Sequence, residues 1–340
     1  MNLIKDVGLT FDDILLLPLD KINTIKSRKD PDISSSLFYE GKNLRIPIIA
    51  SPMDSICGSN MCISMDKMGG MGVLTRLINM TAEEEHHEQL NEIKKIRDKN
   101  IKDIAVAVGI RKHVKQEEYI NRFMDNGVTI ICVDAACGYH ILVRDVINIL
   151  NKIKMSYPYL KIIAGNVITA WGANFLADCG VDAIRVGIGN GSPCTTRSVT
   201  GCGCPQLTAI NNCYNAIKHT NVKIISDGGI RKSSDIIKAL YAGASTVIVG
   251  GLLSGHDESR LKNFRGMSSH EASSRGDIAS EGVSFETRQK GSVCNTITRW
   301  RQELKSGLAL LNCNNIDELK NLNAIRVSTN TKKETETVNL

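Results

Sequence analysis

Apolar residues along this chain gather into eight short runs, each followed by glycine or polar residues and then by a stretch with helical spacing. The runs fall at Ile46–Ala50, Met71–Thr75, Ile104–Val108, Thr129–Asp134, Lys161–Gly165, Ala183–Val186, Lys223–Asp227 and Thr246–Val249. Helical periodicity marks the segments between them, among them Ala82–Lys99, Gln116–Asn126, Ile141–Met155, Ala170–Cys179, Gln206–Lys218 and Ser233–Ala242. Strand alternating with helix predicts a parallel sheet, and eight units predict its closure into an α/β (β/α)8 barrel. An open doubly wound sheet is the alternative, and the first strand–helix turn lacks the Gly-x-Gly-x-x-Gly it would carry.

After the eighth run the pattern changes. A polar, glycine-bearing segment over about 253–290 suits a mobile flap above a barrel mouth. Asn295–Leu311 reads as a closing amphipathic helix whose Trp300 belongs to the core or an interface, and the polar tail over 328–340 is expected to be disordered. The 340 residues accommodate one barrel, which needs about 250, so residues 1–340 are read as one catalytic domain without an inserted module.

Composition narrows the setting. Apolar content of 42% is ample for a core, and no apolar run approaches the ~18–20 residues of a membrane span. The first residues lack the apolar segment of a secretory signal, and eleven scattered cysteines suit reduced thiols, so a cytoplasmic location is expected. Cys202-x-Cys204 has no second pair at metal-ligand spacing, which argues against zinc. The net charge of +6 is spread among interleaved acidic and basic residues, so it suggests an anionic small ligand rather than a nucleic acid.

Chemistry concentrates at the strand ends. Ala183–Val186 opens into Gly187-Ile188-Gly189-Asn190-Gly191-Ser192-Pro193-Cys194-Thr195-Thr196-Arg197, a glycine-rich loop carrying one thiol. That setting suits a nucleophile, although a packed core cysteine is an open alternative. Asp227-Gly228-Gly229 and Gly250-Gly251 follow the seventh and eighth runs, where barrels commonly cradle phosphate on backbone N–H groups. Asp134 ends the fourth run as a carboxylate in need of a partner.

The loop from Gly187 to Arg197, continued by Thr200-Gly201-Cys202-Gly203-Cys204-Pro205-Gln206, resembles the catalytic loop of the IMP dehydrogenase and GMP reductase family. The resemblance runs from Leu9 to Gly291. It implies a purine nucleoside monophosphate held by Ser192, Asp227, Gly228, Gly229, Gly250, Gly251, Met267 and Ser268. It also implies Cys194, Thr196 and Glu281 as the catalytic set, and Asp134, Arg76 and Gly187 beside a nicotinamide cofactor. In that family the loop carbonyls, here of Gly189, Gly191 and Cys194, can hold potassium, and the barrels form homotetramers.

Both reactions of the family add the cysteine to C2 of the purine. The dehydrogenase then hydrolyses its adduct with water, using an Arg-Tyr pair on a long flap. No Arg-Tyr occurs anywhere in this chain, and Gly266–Glu281 is short. Gly255-His256-Asp257-Glu258-Ser259 and Gly266-Met267-Ser268-Ser269 also resemble reductase versions. The sequence therefore points to NADPH-dependent reduction of GMP to IMP and ammonia, with IMP dehydrogenase as the alternative. Pro193, where the family has valine or isoleucine, keeps a third reading open, a catalytically silent nucleotide-binding barrel.

Overall fold

The computed structural model describes residues 7–77, 80–110, 115–269 and 280–328. Its centre is a closed barrel of eight parallel strands: β1 (Ile48–Ala50), β2 (Met71–Leu74), β3 (Ile104–Val108), β4 (Val128–Asp134), β5 (Lys161–Val167), β6 (Ala183–Val186), β7 (Lys223–Asp227) and β8 (Thr246–Val249). Neighbours in sequence are neighbours in the ring, and β8 closes onto β1. All eight apolar runs are strands. Each is followed by a helix: α1 (Ser59–Lys67), α2 (Ala82–Arg97), α3 (Gln116–Asp125), α4 (Ile141–Ser156), α5 (Ala170–Asp178), α6 (Gln206–Ile217), α7 (Ser233–Tyr241) and α8 (Val293–Leu310). Helix α1 is the one that apolar periodicity did not mark, because its buried face mixes Met61, Cys62 and Met65 with Ser59.

Side chains alternate across a strand. Outward residues join the helices in one large core, and inward residues form a second cluster inside the barrel. That inner cluster holds Ile130 and Cys132 of β4, Ala183 of β6, Ile225 of β7 and Ile248 of β8. Leu37, Phe38 and Leu44 join it from an N-terminal hairpin and close the bottom of the barrel. Two residues further along the same faces the sequence switches to Asp134, Arg185 and Asp227. The apolar filling thus ends in a charged top layer, where a barrel presents its chemistry.

The segment after β8 is more ordered than a bare flap. Asn263–Arg265 pairs antiparallel with Ser284–Glu286, and Arg265 holds the buried Asp54 of the β1 loop. Of the expected flap, residues 270–279 lie outside the described ones, as does the tail beyond Ser328. Trp300 is 3% exposed and belongs to the core. Remote in sequence, Ile14–Leu16 pairs antiparallel with Ala324–Arg326. Among the described residues no helix is long and apolar enough to cross a membrane.

Candidate active site

A cavity of about 260 Å³ opens at the C-terminal mouth of the barrel. Each of the residues expected at a site lines it: Arg76, Asp134, Gly187, Gly189, Gly191, Ser192, Cys194, Thr196, Asp227, Gly228, Gly229, Gly250, Gly251, Met267, Ser268 and Glu281. The ends of five strands, from widely separated sequence positions, bring them together, as a barrel of this kind dictates.

The thiol loop leaves β6 at Gly187, whose φ of 145° is one that residues with a Cβ rarely adopt. A side chain there would also press on the Asp227 carbonyl. Asn190 then ties the loop to β7, its Nδ2 donating to the Asp227 carbonyl at 2.9 Å. Ser192 is brought against Gly251, since a Cβ on that glycine would sit 3.4 Å from Ser192 Oγ. Pro193 does not displace the thiol. Its carbonyl accepts the Val283 N–H at 2.9 Å, which seats the loop against the flap.

Cys194 stands at the end of a short relay. Its Sγ lies 3.1 Å from Thr196 Oγ1, and that hydroxyl donates to Glu281 Oε2 at 2.7 Å. Backbone contacts fix the far end. Glu281 accepts the Thr195 N–H through its carbonyl at 2.9 Å, and its own N–H donates to Ser268 at 3.0 Å. Because the hydroxyl proton points at the carboxylate, the threonine oxygen is left to accept from the thiol. Thiol, hydroxyl and carboxylate are then aligned for proton transfer in the sense of a nucleophile, a relay and a base. Glu286, the other carboxylate on this segment, is exposed on its strand and lies outside the cavity lining.

Beneath the relay runs a chain of alternating charges. Arg76 donates to Asp134 Oδ2 through Nε at 3.1 Å and Nη2 at 3.0 Å. Arg185 Nη1 takes the other oxygen of Asp134 at 2.7 Å, and its Nε and Nη2 hold Asp227 Oδ2 at 2.9 and 2.7 Å. Asn166 Nδ2 adds a further donor to Asp227 at 2.8 Å. Burial alone would lift the Asp134 carboxyl, but Arg185 and Arg76 hold it below its ordinary range. Burial likewise works against the Arg185 charge, and Asp227 and Asp134 more than offset that. Arg185, Asn166 and Asn190 are site residues that pattern reading does not assign. A charged residue inside the run Ala183–Val186 was the available signal, since a buried arginine requires acidic partners.

The remaining cysteines fit structural roles. Cys202 is exposed on the loop, and burial raises the Cys204 and Cys213 thiols, the latter to about 12. Among the described residues no cluster of three His, Cys, Asp or Glu could hold a metal ion. His256, whose sequence context resembles the reductases, is buried beside the last strand, where its ring nitrogens lie 3.1 Å from the Leu253 carbonyl and 2.8 Å from Thr296 Oγ1. It acts there as a tie to α8.

The model for the IMP dehydrogenase / GMP reductase domain matches residues 8–337. Inosine-5'-monophosphate dehydrogenase of Borreliella burgdorferi is 31% identical across 98% of this chain and 97% of its own length. The Cryptosporidium parvum protein of the same name is 31% identical over 92% of this chain and 90% of its length. The Escherichia coli protein is 36% identical over 64% of this chain, a match spanning 49% of that relative. With its closed barrel and its matched catalytic loop, the chain belongs to the IMP dehydrogenase / GMP reductase domain family of oxidoreductases.

Proposed function

We propose that the chain oxidises a 6-oxopurine nucleoside monophosphate at C2, as an IMP dehydrogenase does, through a covalent adduct on Cys194. The relay from Cys194 through Thr196 to Glu281 carries this reading. The direction draws support from the relatives named above, whose printed names are all dehydrogenases.

Ring order supplies the geometry. Strands β4 and β8 are four places apart in an eight-stranded ring, so Asp134 and Gly250 face each other across the mouth. Strand β6, with the thiol loop, lies two places from each. A nucleotide with its phosphate at Ser192, Gly229, Gly250 and Gly251 and its ribose at Asp227 extends its base toward Cys194. Asp134, Arg76 and Gly187 line the opposite side, where a nicotinamide riboside fits against a carboxylate already oriented by two arginines. When bound there, the dinucleotide supplies the hydride acceptor.

Glu281, through Thr196, takes the thiol proton as sulfur bonds to C2. Hydride loss from C2 leaves a thioimidate on Cys194. Once Glu281 has passed the thiol proton to solvent, a water attacks C2, Glu281 accepts one of its protons through Thr196, and the sulfur departs as a thiolate that takes that proton back. In this scheme Glu281 replaces the Arg-Tyr pair that the chain lacks. Such general acid–base help is typically worth about 10²–10⁴-fold.

That missing pair favours a second reading, GMP reductase with NADPH, in which Glu281 returns its proton to the leaving ammonia. Purified protein separates the two. NAD reduction with IMP supports the dehydrogenase, NADPH oxidation with GMP supports the reductase, and neither leaves a silent barrel. A potassium ion on the carbonyls of Gly189, Gly191 and Cys194 would share the Gly191 oxygen with the Cys194 N–H, 3.1 Å away. Comparing rates in potassium and in a bulky organic cation tests that site.

A further inference from the structure

The thiol loop carries an asparagine followed by glycine, Asn190-Gly191, and the chain holds a second such step at Asn126-Gly127. This pair is open to ring closure within the chain. Glycine has no Cβ, so nothing shields its nitrogen from the side-chain amide carbon of the asparagine before it.

Exposure does not separate the two steps, since both asparagines are half-buried. Hydrogen bonding does. At the end of α3 the Gly127 N–H donates to the Met124 carbonyl at 3.0 Å. The Asn126 amide is held on both sides, its Nδ2 donating to the Arg122 carbonyl at 2.8 Å and its Oδ1 accepting from Arg97 Nη1 at 3.1 Å. In the thiol loop Asn190 has a single tether, from Nδ2 to the Asp227 carbonyl at 2.9 Å. Among the described residues the Gly191 N–H has no hydrogen-bond partner. Space surrounds it as well, because a Cβ on Gly191 would meet nothing closer than Cys194 Cβ at 3.6 Å. The attacking nitrogen is therefore free in the thiol loop and engaged at the end of α3.

We propose that Asn190 is a modification site, at which the thiol loop loses an amide to water as the protein ages. The Gly191 nitrogen gives its proton to solvent and bonds to Asn190 Cγ. The Cγ–Nδ2 bond breaks, and Nδ2 leaves as ammonia with a proton from water. Water then opens the cyclic imide. Attack at Cγ yields aspartate, and attack at the main-chain carbonyl yields isoaspartate, whose main chain is one methylene longer. No oxidant or other reactant enters.

Either product disturbs the cleft. The N–H that joins Asn190 to the Asp227 carbonyl is replaced by an oxygen, so one acceptor faces another. A negative charge arises beside Gly228, where an added Cβ would lie 2.8 Å from Asn190 Oδ1, on the wall assigned above to the nucleotide. The isoaspartate form also lengthens the loop before Cys194 and shifts the thiol relative to Thr196.

The chemical step is tested without any turnover. Wild-type protein is aged in mildly alkaline buffer, circular dichroism checks that it stays folded, and mass spectrometry with isoaspartate determination reads its peptides. The Asn190 peptide converts from amide to acid, while the Asn126 peptide of the same sample keeps its amide. Gly191→Ala leaves Asn190 in place, shields the nitrogen and slows the conversion several-fold. Equal persistence of both amides in the folded wild-type protein overturns the proposal, and so does a Gly191→Ala protein that converts as fast as wild type. Calorimetric titration with IMP reads the consequence. Asn190→Asp binds about tenfold more weakly than wild type, the scale of one hydrogen bond lost and a like charge gained. Unchanged affinity in that variant overturns the effect on the nucleotide wall.

Discussion

The two walls of the catalytic cleft are built in opposite ways. The nucleotide wall, from β6 to β8, is mostly backbone: Gly228, Gly229, Gly250 and Gly251 bring main-chain groups close to where a phosphate and ribose would lie, over the buried chain of Arg185 and Asp227. The flap wall contributes one decisive side chain, Glu281, hung on a few main-chain bonds to Ser268, Thr195 and the Pro193 loop. Many weak, rigid contacts suit binding, and one movable carboxylate suits proton transfer. The comparison teaches that affinity and chemistry should separate under mutation.

The sharpest break is Cys194→Ala. It abolishes turnover while leaving nucleotide affinity nearly intact, which steady-state rates and a calorimetric titration with IMP check together. Substantial residual turnover would move the nucleophile elsewhere.

Next is Glu281→Gln. The amide still accepts a hydrogen bond from Thr196 but cannot take a proton, so kcat falls by about 10²–10⁴ while nucleotide affinity changes little. A loss in affinity with kcat preserved would make the flap wall a binding wall.

Much of this was legible beforehand. The eight strands declared themselves because a barrel strand is buried on both faces, so its sequence reads as an unbroken apolar run. The glycine pairs and the thiol loop were legible because backbone approach leaves a compositional mark. Arg185 was hidden for the same reason that the strands were clear. One charged residue in a short apolar run does not spoil the pattern, and its role appears only when Asp134 and Asp227 arrive from neighbouring strands. Helix α1, Asn190 and the pairing of Ile14–Leu16 with Ala324–Arg326 likewise depend on residues remote in sequence.

Arg185→Met probes the nucleotide wall from below. It leaves Asp227 and Asp134 buried with fewer partners, and removing one member of such a pair costs about 3 kcal/mol of stability. Urea denaturation measures it, and a loss near zero would mean that the charges are solvated from the cleft.

The smallest effect concerns pH. The His86 pKa is near 4 when folded and near 6.5 when unfolded. Above pH 6.5 both states are neutral and the difference costs nothing. Between pH 6.5 and 4 the unfolded chain binds a proton that the folded one refuses, so stability falls as pH falls. By pH 4.5 the loss is on the order of 2 kcal/mol, and His86→Leu removes that part of the pH dependence. Denaturation curves at pH 7.5 and 4.5 for both proteins check it, and parallel losses would place the imidazole in contact with solvent.

The relay is tested most directly by mixing Glu281→Gln protein rapidly with IMP and oxidised dinucleotide. Absorbance then follows the reduced cofactor, and intact mass follows the protein. Without Glu281 the thiol loses its proton more slowly, to solvent, and hydride still leaves C2 before water is needed, so the account predicts a slowed single equivalent of reduced cofactor and a purine nucleotide adduct persisting on Cys194. Steady turnover at the wild-type rate with no adduct would contradict it.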